Sequence, residues 1–291
     1  MTEPAAARLP AWARKTGPLA PAARPVRTLL RRQALHTVCE EARCPNLGEC
    51  FARGTATFLL LGDRCTRRCR YCSVSTARPL PPDPEEPRRV AEAAAQLGLR
   101  YVVLTSVDRD DLPDGGAAHF AATVRALREV MPRAEVEVLT PDFAGDAGAL
   151  RTVLDAQPTV FNHNLETVPR LFPRLRPQGR YRLSLELLRE AKRMRPGQVT
   201  KSGLMVGLGE TDEEVEPALR DLRAAGVDIV TIGQYLRPTR EHEPVHRYVP
   251  PEGFQAFERA ARGLGFPTVH AGVFVRSSFN AEEVFRAGGP S

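Results

Sequence analysis

Short apolar runs alternate with longer amphipathic segments over most of the chain. Runs rich in aliphatic and β-branched residues predict strands over residues 57–61, 101–106, 135–140, 160–164, 203–207 and 229–234. Segments with apolar positions three and four residues apart predict helices over residues 87–97, 117–130, 145–156, 181–194, 211–225 and 252–264. Six strand–helix units in succession predict an α/β fold, in which helices cover a parallel sheet.

The same alternation predicts an incomplete barrel. Right-handed crossovers curl a parallel sheet towards a barrel, and six units give a partial (β/α)6 barrel where a closed one has eight. Residues 1–35 are rich in Pro, Ala and Arg, with a short helix predicted over 26–33. We divide the chain into an N-terminal extension (1–54), the partial barrel (55–250) and a C-terminal helix and extension (251–291). We expect both extensions to cover the open face of the barrel, where the carboxyl ends of the strands carry the chemistry.

Composition indicates in which cellular compartment this fold is found. With 291 residues, 42% of them hydrophobic, the chain can bury a core. No apolar run approaches the ~18 residues of a membrane span, and the N-terminus has no apolar signal-peptide core. We therefore expect a cytoplasmic protein that does not contact a membrane. In that reducing compartment, six cysteines are better explained as metal ligands than as disulfides.

The net charge of +6 comes almost entirely from arginine. The basic residues are spread along the chain, without the Lys/Arg block and interleaved aromatics typical of a nucleic-acid-binding surface. We therefore predict no nucleic-acid partner. The same positive charge would attract an acidic partner protein or an anionic cofactor.

Three cysteines, Cys65, Cys69 and Cys72, directly follow the first predicted strand. A structural zinc ion takes four protein ligands, whereas an iron–sulfur cube held by three thiolates keeps one iron open for a substrate or cofactor. The C-x3-C-x2-C spacing departs from the paired C-x2-C spacing of zinc sites. We predict a cluster, with a zinc site completed by a distant histidine as the alternative.

A second set, Cys39, Cys44 and Cys50, lies among Glu, Arg, Pro and Asn. Buried structural cysteines would sit more often in apolar strands, so this set also indicates a metal centre. A small zinc loop is the alternative. No fourth cysteine accompanies either set, because the chain has six in all.

The segment CTRRCRYC (65–72) resembles the motif of the radical S-adenosylmethionine (SAM) superfamily, C-x3-C-x-aromatic-C, with Tyr71 as the aromatic residue. Together with the C-x4-C-x5-C spacing upstream, it resembles the lipoyl synthase family. Further segments that are similar to that family are TSVDRDDLPDGGA (105–117), FNHNLETVPRL (161–171), TKSGLMVGLGET (200–211), TIGQYLRPT (231–239) and VRSSF (275–279). The chain departs from the family pattern at Arg70-Tyr71, where Pro-Phe is usual, and at Phe279, where tyrosine is usual.

This resemblance implies a sulfurtransferase with a partial barrel of the radical SAM type. It would insert two sulfur atoms at C6 and C8 of an octanoyl group on a carrier-protein lysine, and cleave two SAM molecules to methionine and 5′-deoxyadenosine. Two [4Fe–4S] clusters are implied, one on the 65–72 cysteines that binds SAM and one on the 39–50 cysteines that donates sulfur. No side chain is then expected to act as a catalytic acid or base. The alternatives are another radical SAM sulfur-inserting enzyme and a metal-stabilised nucleic-acid-binding protein.

The resemblance also implies a serine ligand to the second cluster, from the motif Arg276-Ser277-Ser278-Phe279. Because an extended chain alternates its faces, one serine should point at the iron. Ser278 is preferred by its place in the motif, and Ser277 is the alternative.

For SAM, we expect contacts from polar or aromatic residues at strand ends, where Tyr71 offers a ring face for the adenine. The candidates are Tyr71, Thr105, Asn164 and Glu166. The implied partners are octanoylated carriers, such as the E2 subunits of 2-oxoacid dehydrogenases and the H protein of the glycine cleavage system. An electron donor such as ferredoxin or flavodoxin is implied as well.

Overall fold

One sheet of eight strands organises the fold, in a computed structural model that describes residues 9–15 and 21–288. The strands are β1 (His36–Thr37), β2 (Thr57–Leu60), β3 (Tyr101–Ser106), β4 (Glu135–Leu139), β5 (Val160–Asn162), β6 (Val199–Val206), β7 (Ile229–Gln234) and β8 (Thr268–Gly272). They lie side by side in chain order. β1 runs antiparallel to β2, and every later neighbour pair is parallel. In the described chain, β1 and β8 do not pair, so the barrel is open.

Helices follow the parallel strands and bury their apolar faces against the sheet and one another. They are α1 (Arg24–Arg32), α2 (Val38–Glu41), α3 (Leu47–Ala52), α4 (Glu86–Gln96), α5 (Ala117–Val130), α6 (Ala147–Asp155), α7 (Phe172–Leu175), α8 (Tyr181–Met194), α9 (Asp212–Ala224), α10 (Pro251–Gly263) and α11 (Ala281–Gly288). Phe120, Leu127 and Leu150 are fully buried in this layer. Across residues 9–15 and 21–288, no helix has both the length and the apolar character needed to cross a membrane.

The predicted α/β class and open barrel are confirmed, and each predicted strand is present within a few residues of its expected bounds. β2 ends one residue early because Leu61 has a left-handed backbone, with φ 66°. β6 begins at Val199 rather than at 203. The prediction began too late because a lysine such as Lys201 usually lies at the surface. Lys201 is instead buried in the barrel, where its Nζ lies 2.9 Å from both carboxylate oxygens of Glu137.

The prediction of six strands was incomplete. β8 extends the parallel sheet beyond β7, and β1 adds an antiparallel edge. β8 reads Thr-Val-His-Ala-Gly, too polar and too rich in small residues to stand out as an apolar run. The C-terminal α11 was not predicted either; it packs on β3 and β8, with the ring of Phe285 centred 5.7 Å from that of Tyr101.

The division of the chain at 54/55 and 250/251 stays a prediction. The sheet itself continues across both positions, since β1 precedes the first and β8 follows the second. The predicted N- and C-terminal extensions therefore each contribute a strand to the sheet.

Candidate active site

The loop 65–72 leaves the carboxyl end of β2 and is fastened to the neighbouring strand ends. The Cys65 amide donates to the Ser75 carbonyl (2.8 Å), and the Thr66 amide donates to the Asp108 carbonyl (3.0 Å) just beyond β3. Amide groups also point at the first thiol: those of Arg67 and Asp108 lie 3.4 and 3.3 Å from Cys65 Sγ. Main-chain groups thus hold the first cysteine in place.

Arg67 binds this loop to the neighbouring strand ends. Its guanidinium is nearly buried and makes bidentate hydrogen bonds with two carboxylates, Asp110 (2.7–2.8 Å) and Asp142 (2.7–2.8 Å). Burial alone would raise the pKa of Asp142, but the hydrogen bonds and charge of Arg67 outweigh it and bring that pKa to about 2. One side chain therefore ties the loop to the segments that follow β3 and β4.

None of the six cysteines forms a disulfide. Loss of solvent contact raises the pKa of Cys65 to about 11 and those of Cys72 and Cys39 to about 12. A metal centre would reverse this, since a coordinating thiol is deprotonated by the metal charge. Among the described residues, no three His, Cys, Asp or Glu side chains converge closely enough for a single metal ion. The thiolates on a [4Fe–4S] cluster instead each meet a different iron and stand apart.

The three cysteines of the loop share a cavity of about 230 Å³, named here the 65–72 cavity. All four predicted SAM-contacting residues line it, namely Tyr71, Thr105, Asn164 and Glu166. Three of the residues that line it also carry a buried polar atom without a hydrogen-bond partner in the described chain: Ser106 Oγ, Thr140 Oγ1 and Arg176 Nε. Unsatisfied buried groups of this kind fit a bound polar ligand.

Asn164 and Glu166 are held rigidly. Glu166 has a left-handed backbone (φ 74°), fixed because its amide donates to the Gly203 carbonyl and its own carbonyl accepts from the Met205 amide. The Asn164 side-chain NH₂ donates to Glu166 Oε1 at 3.1 Å. Burial raises the pKa of Glu166, and the charge of Arg176 opposes that rise. β6 therefore holds Glu166 in this strained backbone conformation, and the Glu166 carboxylate is presented to the cavity.

Arg176 is a site residue that the sequence does not reveal. It is 6% exposed, its Nη1 donates to the Asn164 carbonyl at 3.1 Å, and its guanidinium lies 5.2 Å from the Phe172 ring centre. In a chain so rich in arginine, nothing in the sequence separates it from surface residues. Its position places a buried cation beside Cys69 and Glu166.

Of the other cysteines, Cys39 lies on α2 and Cys50 on α3, two short helices with the same ending, and Cys44 follows α2. At the end of α2 the Cys44 amide donates to the Cys39 carbonyl (3.0 Å), and after α3 the Thr55 amide donates to the Cys50 carbonyl (2.9 Å). Each of these hydrogen bonds spans six residues and ends its helix in a Schellman motif. The residue in the left-handed conformation is Arg43 (φ 49°) in the first motif and Gly54 (φ 74°) in the second. The C-x4-C spacing is thus the span of one helix cap, which brings both thiols to the same side.

The segment 273–280 returns from β8 to these helices. The side-chain NH₂ of Asn46 donates to the Phe274 carbonyl at 2.7 Å, and Arg53 Nη1 donates to Asn280 Oδ1 at 3.1 Å. Ser278 and Arg276 then line a cavity of about 130 Å³, the 39–50 cavity, together with Cys39, Cys44 and Cys50. Ser277 does not line it; its hydroxyl donates to Asn164 Oδ1 at 2.7 Å.

A third cavity of about 330 Å³, the central cavity, connects the two sets. Its lining includes Cys72 from one set and Cys39 and Cys44 from the other. Apolar side chains such as Leu204 and Val275 form much of its wall. Residues from both cysteine sets therefore line one space.

Comparison with known proteins agrees with this arrangement. The radical SAM superfamily matches residues 59–222 of the chain. The lipoyl synthase of Thermus thermophilus is 57% identical over 285 residues, which cover 97% of this chain and 88% of that protein. The lipoyl synthase of Nitratidesulfovibrio vulgaris (Hildenborough) is 57% identical over 280 residues, covering 96% of this chain and 93% of that one.

Solved structures match the fold. Coproporphyrinogen III oxidase from Escherichia coli, a radical SAM enzyme, superposes with a TM-score of 0.52 at 14% identity, covering 70% of this chain and 50% of that one. Identity this low speaks for the fold alone, whereas the near full-length matches speak for the family. With its cysteine loop after the first parallel strand of an open barrel, the chain belongs to the lipoyl synthase family of the radical SAM superfamily and is an enzyme.

Proposed function

We propose that this enzyme inserts sulfur at C6 and C8 of an octanoyl group carried on a protein lysine, giving the lipoyl group at the cost of two SAM molecules. The observation that carries the proposal is the central cavity, an apolar space lined by residues from both cysteine sets. A substrate bound there would lie between a site for radical formation and a site for sulfur donation.

The chemistry of the substrate requires such an arrangement. C6 and C8 are unactivated carbons, and a side-chain base with a pKa near the working pH cannot deprotonate them. When bound, the [4Fe–4S] cluster and SAM supply a 5′-deoxyadenosyl radical, and the second [4Fe–4S] cluster supplies the sulfur. The protein then serves to bind, orient and exclude competitors.

At the 65–72 cavity, Cys65, Cys69 and Cys72 would hold the SAM-binding cluster. Glu166 and Asn164 present a carboxylate and an amide where a ribose diol or an amino group can be bound. Arg176, a buried cation with an unpartnered Nε, suits the carboxylate of SAM. Tyr71 offers a ring face to the adenine, and Thr105, whose hydroxyl donates to the Leu139 carbonyl, shapes the wall.

At the 39–50 cavity, Cys39, Cys44 and Cys50 would hold the second cluster, with Ser278 as the fourth ligand. Ser278 is favoured over Ser277 because it lines the cavity of these cysteines, while the Ser277 hydroxyl already donates to Asn164. An alkoxide binds iron less strongly than a thiolate does, which suits a cluster that gives up its sulfur.

The carrier protein would approach at the central cavity, whose lining includes the cations of Arg43 and Arg237. Arg43 is exposed and makes no ion pair within the described chain, so it can meet an acidic surface. We propose octanoylated E2 subunits or H protein as carriers. A ferredoxin or flavodoxin would be the electron donor.

The test uses the enzyme reconstituted with iron and sulfide under anaerobic conditions. Reductant, SAM and an octanoyl-lysine peptide are added, and 5′-deoxyadenosine and peptide mass are measured. We expect deoxyadenosine together with a mass gain of two sulfurs. Deoxyadenosine without sulfur gain would indicate a different radical SAM reaction, and the absence of both would overturn the proposal. As a ligand test, Ser278→Ala with full product formation would remove Ser278 from the second site.

A further inference from the structure

The 273–280 segment crosses the barrel mouth in very close contact with two strands. A Cβ added at Gly233 of β7 would lie 2.2 Å from the Val275 carbonyl oxygen. A Cβ added at Gly203 of β6 would lie 2.7 Å from Ser277 Oγ and 2.8 Å from Asn164 Oδ1. Contacts below 3.0 Å are not tolerated by real side chains, so only glycine at both positions lets the segment lie this deep.

Ser277 is the point at which this segment meets the SAM site. Its Oγ donates to Asn164 Oδ1 at 2.7 Å, and the NH₂ of Asn164 donates to Glu166 Oε1 at 3.1 Å. The chain of hydrogen bonds therefore runs from the C-terminal segment to a half-buried carboxylate of the 65–72 cavity.

The neighbouring serine faces the other site. Ser278 lines the 39–50 cavity, and Asn46 and Arg53 hold the segment on that side through Phe274 and Asn280. Ser277 and Ser278 do not lie in an extended stretch, as the sequence suggested, but are the central residues of a turn closed by the Phe279 amide, which donates to the Arg276 carbonyl at 3.0 Å; these adjacent residues thus address two different sites. A shift of Ser277 must move Ser278, because one peptide unit joins them.

We propose that Ser277 is a positioning residue that couples the two sites: by fixing Asn164 for SAM, it also sets how Ser278 is presented to Cys39, Cys44 and Cys50. The inference rests on the proposed function, since it takes Asn164 as a SAM contact and Ser278 as a ligand. By thermodynamic linkage, the coupling between the two sites acts in both directions. SAM bound at one site steadies the serine at the other, and a displaced C-terminal segment weakens SAM binding.

The experiment compares wild type, Ser277→Ala and Ser277→Thr as reconstituted holoenzymes. Two quantities are measured: the Kd for SAM, and the rate at which a chelator removes iron from the 39–50 site with and without SAM. For Ser277→Ala we expect SAM affinity to fall about three- to tenfold, the effect of one lost hydrogen bond, and the SAM-dependent protection of iron to vanish. Ser277→Thr keeps the hydroxyl and should restore both.

Thr152→Ala serves as the matched control, because it removes a hydroxyl bonded to a main-chain carbonyl on the outer helix α6. It should change neither quantity. If Ser277→Ala folds poorly, Gly203→Ala tests the same contact from the opposite side and should produce the same loss of SAM protection.

The proposal is overturned if Ser277→Ala binds SAM as wild type does, or retains SAM-dependent protection of the iron. A failure of the proposed function looks different: wild type itself would then hold no second cluster or add no sulfur. SAM affinity can still be measured in that case, because SAM binding requires the 65–72 cluster and does not require the second one.

Discussion

The two cysteine segments differ in what holds them. The 65–72 loop is fastened to the barrel, through Arg67 to the segments after β3 and β4 and through the Cys65 amide to Ser75. The 39–50 segment is fastened to residues that precede it and to the segment that follows β8. Asn46 accepts from Lys15 Nζ at 2.6 Å on one side and donates to the Phe274 carbonyl on the other.

This difference matches the tasks proposed for the two sites. A cluster that must cleave SAM repeatedly benefits from a rigid support with second contacts that do not change. A cluster that is used up must be opened and rebuilt, and a segment held by a few part-buried contacts opens at a lower free-energy cost than one held by a buried ion pair. Under the proposed function, this difference would separate a permanent site from a renewable one.

The largest effect is expected from a matched pair of cysteine replacements, Cys69→Ala and Cys44→Ala. Cys69→Ala should reduce deoxyadenosine and sulfur insertion to background, because the SAM-binding site loses a ligand. Cys44→Ala should keep deoxyadenosine formation and lose sulfur insertion. Iron analysis of each reconstituted variant should give about half of the wild-type content. Equal loss of deoxyadenosine in both variants would contradict the division of tasks.

A large loss of stability is expected from Arg67→Met. Removing the arginine leaves the buried Asp142 carboxylate unpaired, and breaking a buried ion pair in this way costs ~3–5 kcal/mol. Denaturant unfolding of the metal-free protein measures it. Arg88→Met is the control: its pairs with Glu85 and Glu92 are exposed, so the free energy of unfolding should change by less than ~1 kcal/mol.

The same pair sets an acid limit on wild-type stability. The pKa of Asp142 is lowered in the fold from 3.8 to about 2, so its stabilising contribution is complete above pH 3.8 and is lost as the pH falls towards 2. In Arg67→Met, burial alone should raise the pKa of Asp142 above its unfolded value, so protonation should relieve the unpaired charge, and the variant should lose less stability than wild type as the pH falls towards 2. Identical acid-unfolding curves for the two proteins would contradict this role of Arg67.

A smaller and more local effect is expected from Asn46→Ala. The Phe274 carbonyl loses its donor, at a cost of ~1–3 kcal/mol for an unsatisfied buried group. Because Asn46 fastens only the 39–50 segment, a chelator should remove iron from that site faster and leave the 65–72 site unchanged. Asn280→Ala, which releases the more exposed Arg53 contact, should act in the same direction but less strongly. Equal acceleration at both sites would show that the supports are not independent.

The sequence was sufficient for features that depend on local pattern. Apolar runs located the strands from β2 to β7, and cysteine spacing located two segments that the structure brings to one central cavity. It was insufficient where burial comes from tertiary contacts. Lys201 and Arg176 are buried only because Glu137 and the wall of the 65–72 cavity receive them. Our preference for Ser278 over Ser277 stays a proposal, and it rests likewise on Asn164, which is over a hundred residues from Ser277 in the chain.

Because the strands lie in the sheet in the order of their synthesis, the barrel can assemble as the chain leaves the ribosome. The 39–50 segment is made before strands β2 to β8, yet the residues that close its cavity, 276 and 278–283, are made after β8. A nascent chain therefore carries these cysteines without that cover until β8 has been completed. If the 39–50 site holds the proposed second cluster, we expect a chain truncated before residue 273 to fold the barrel and to lose that cluster.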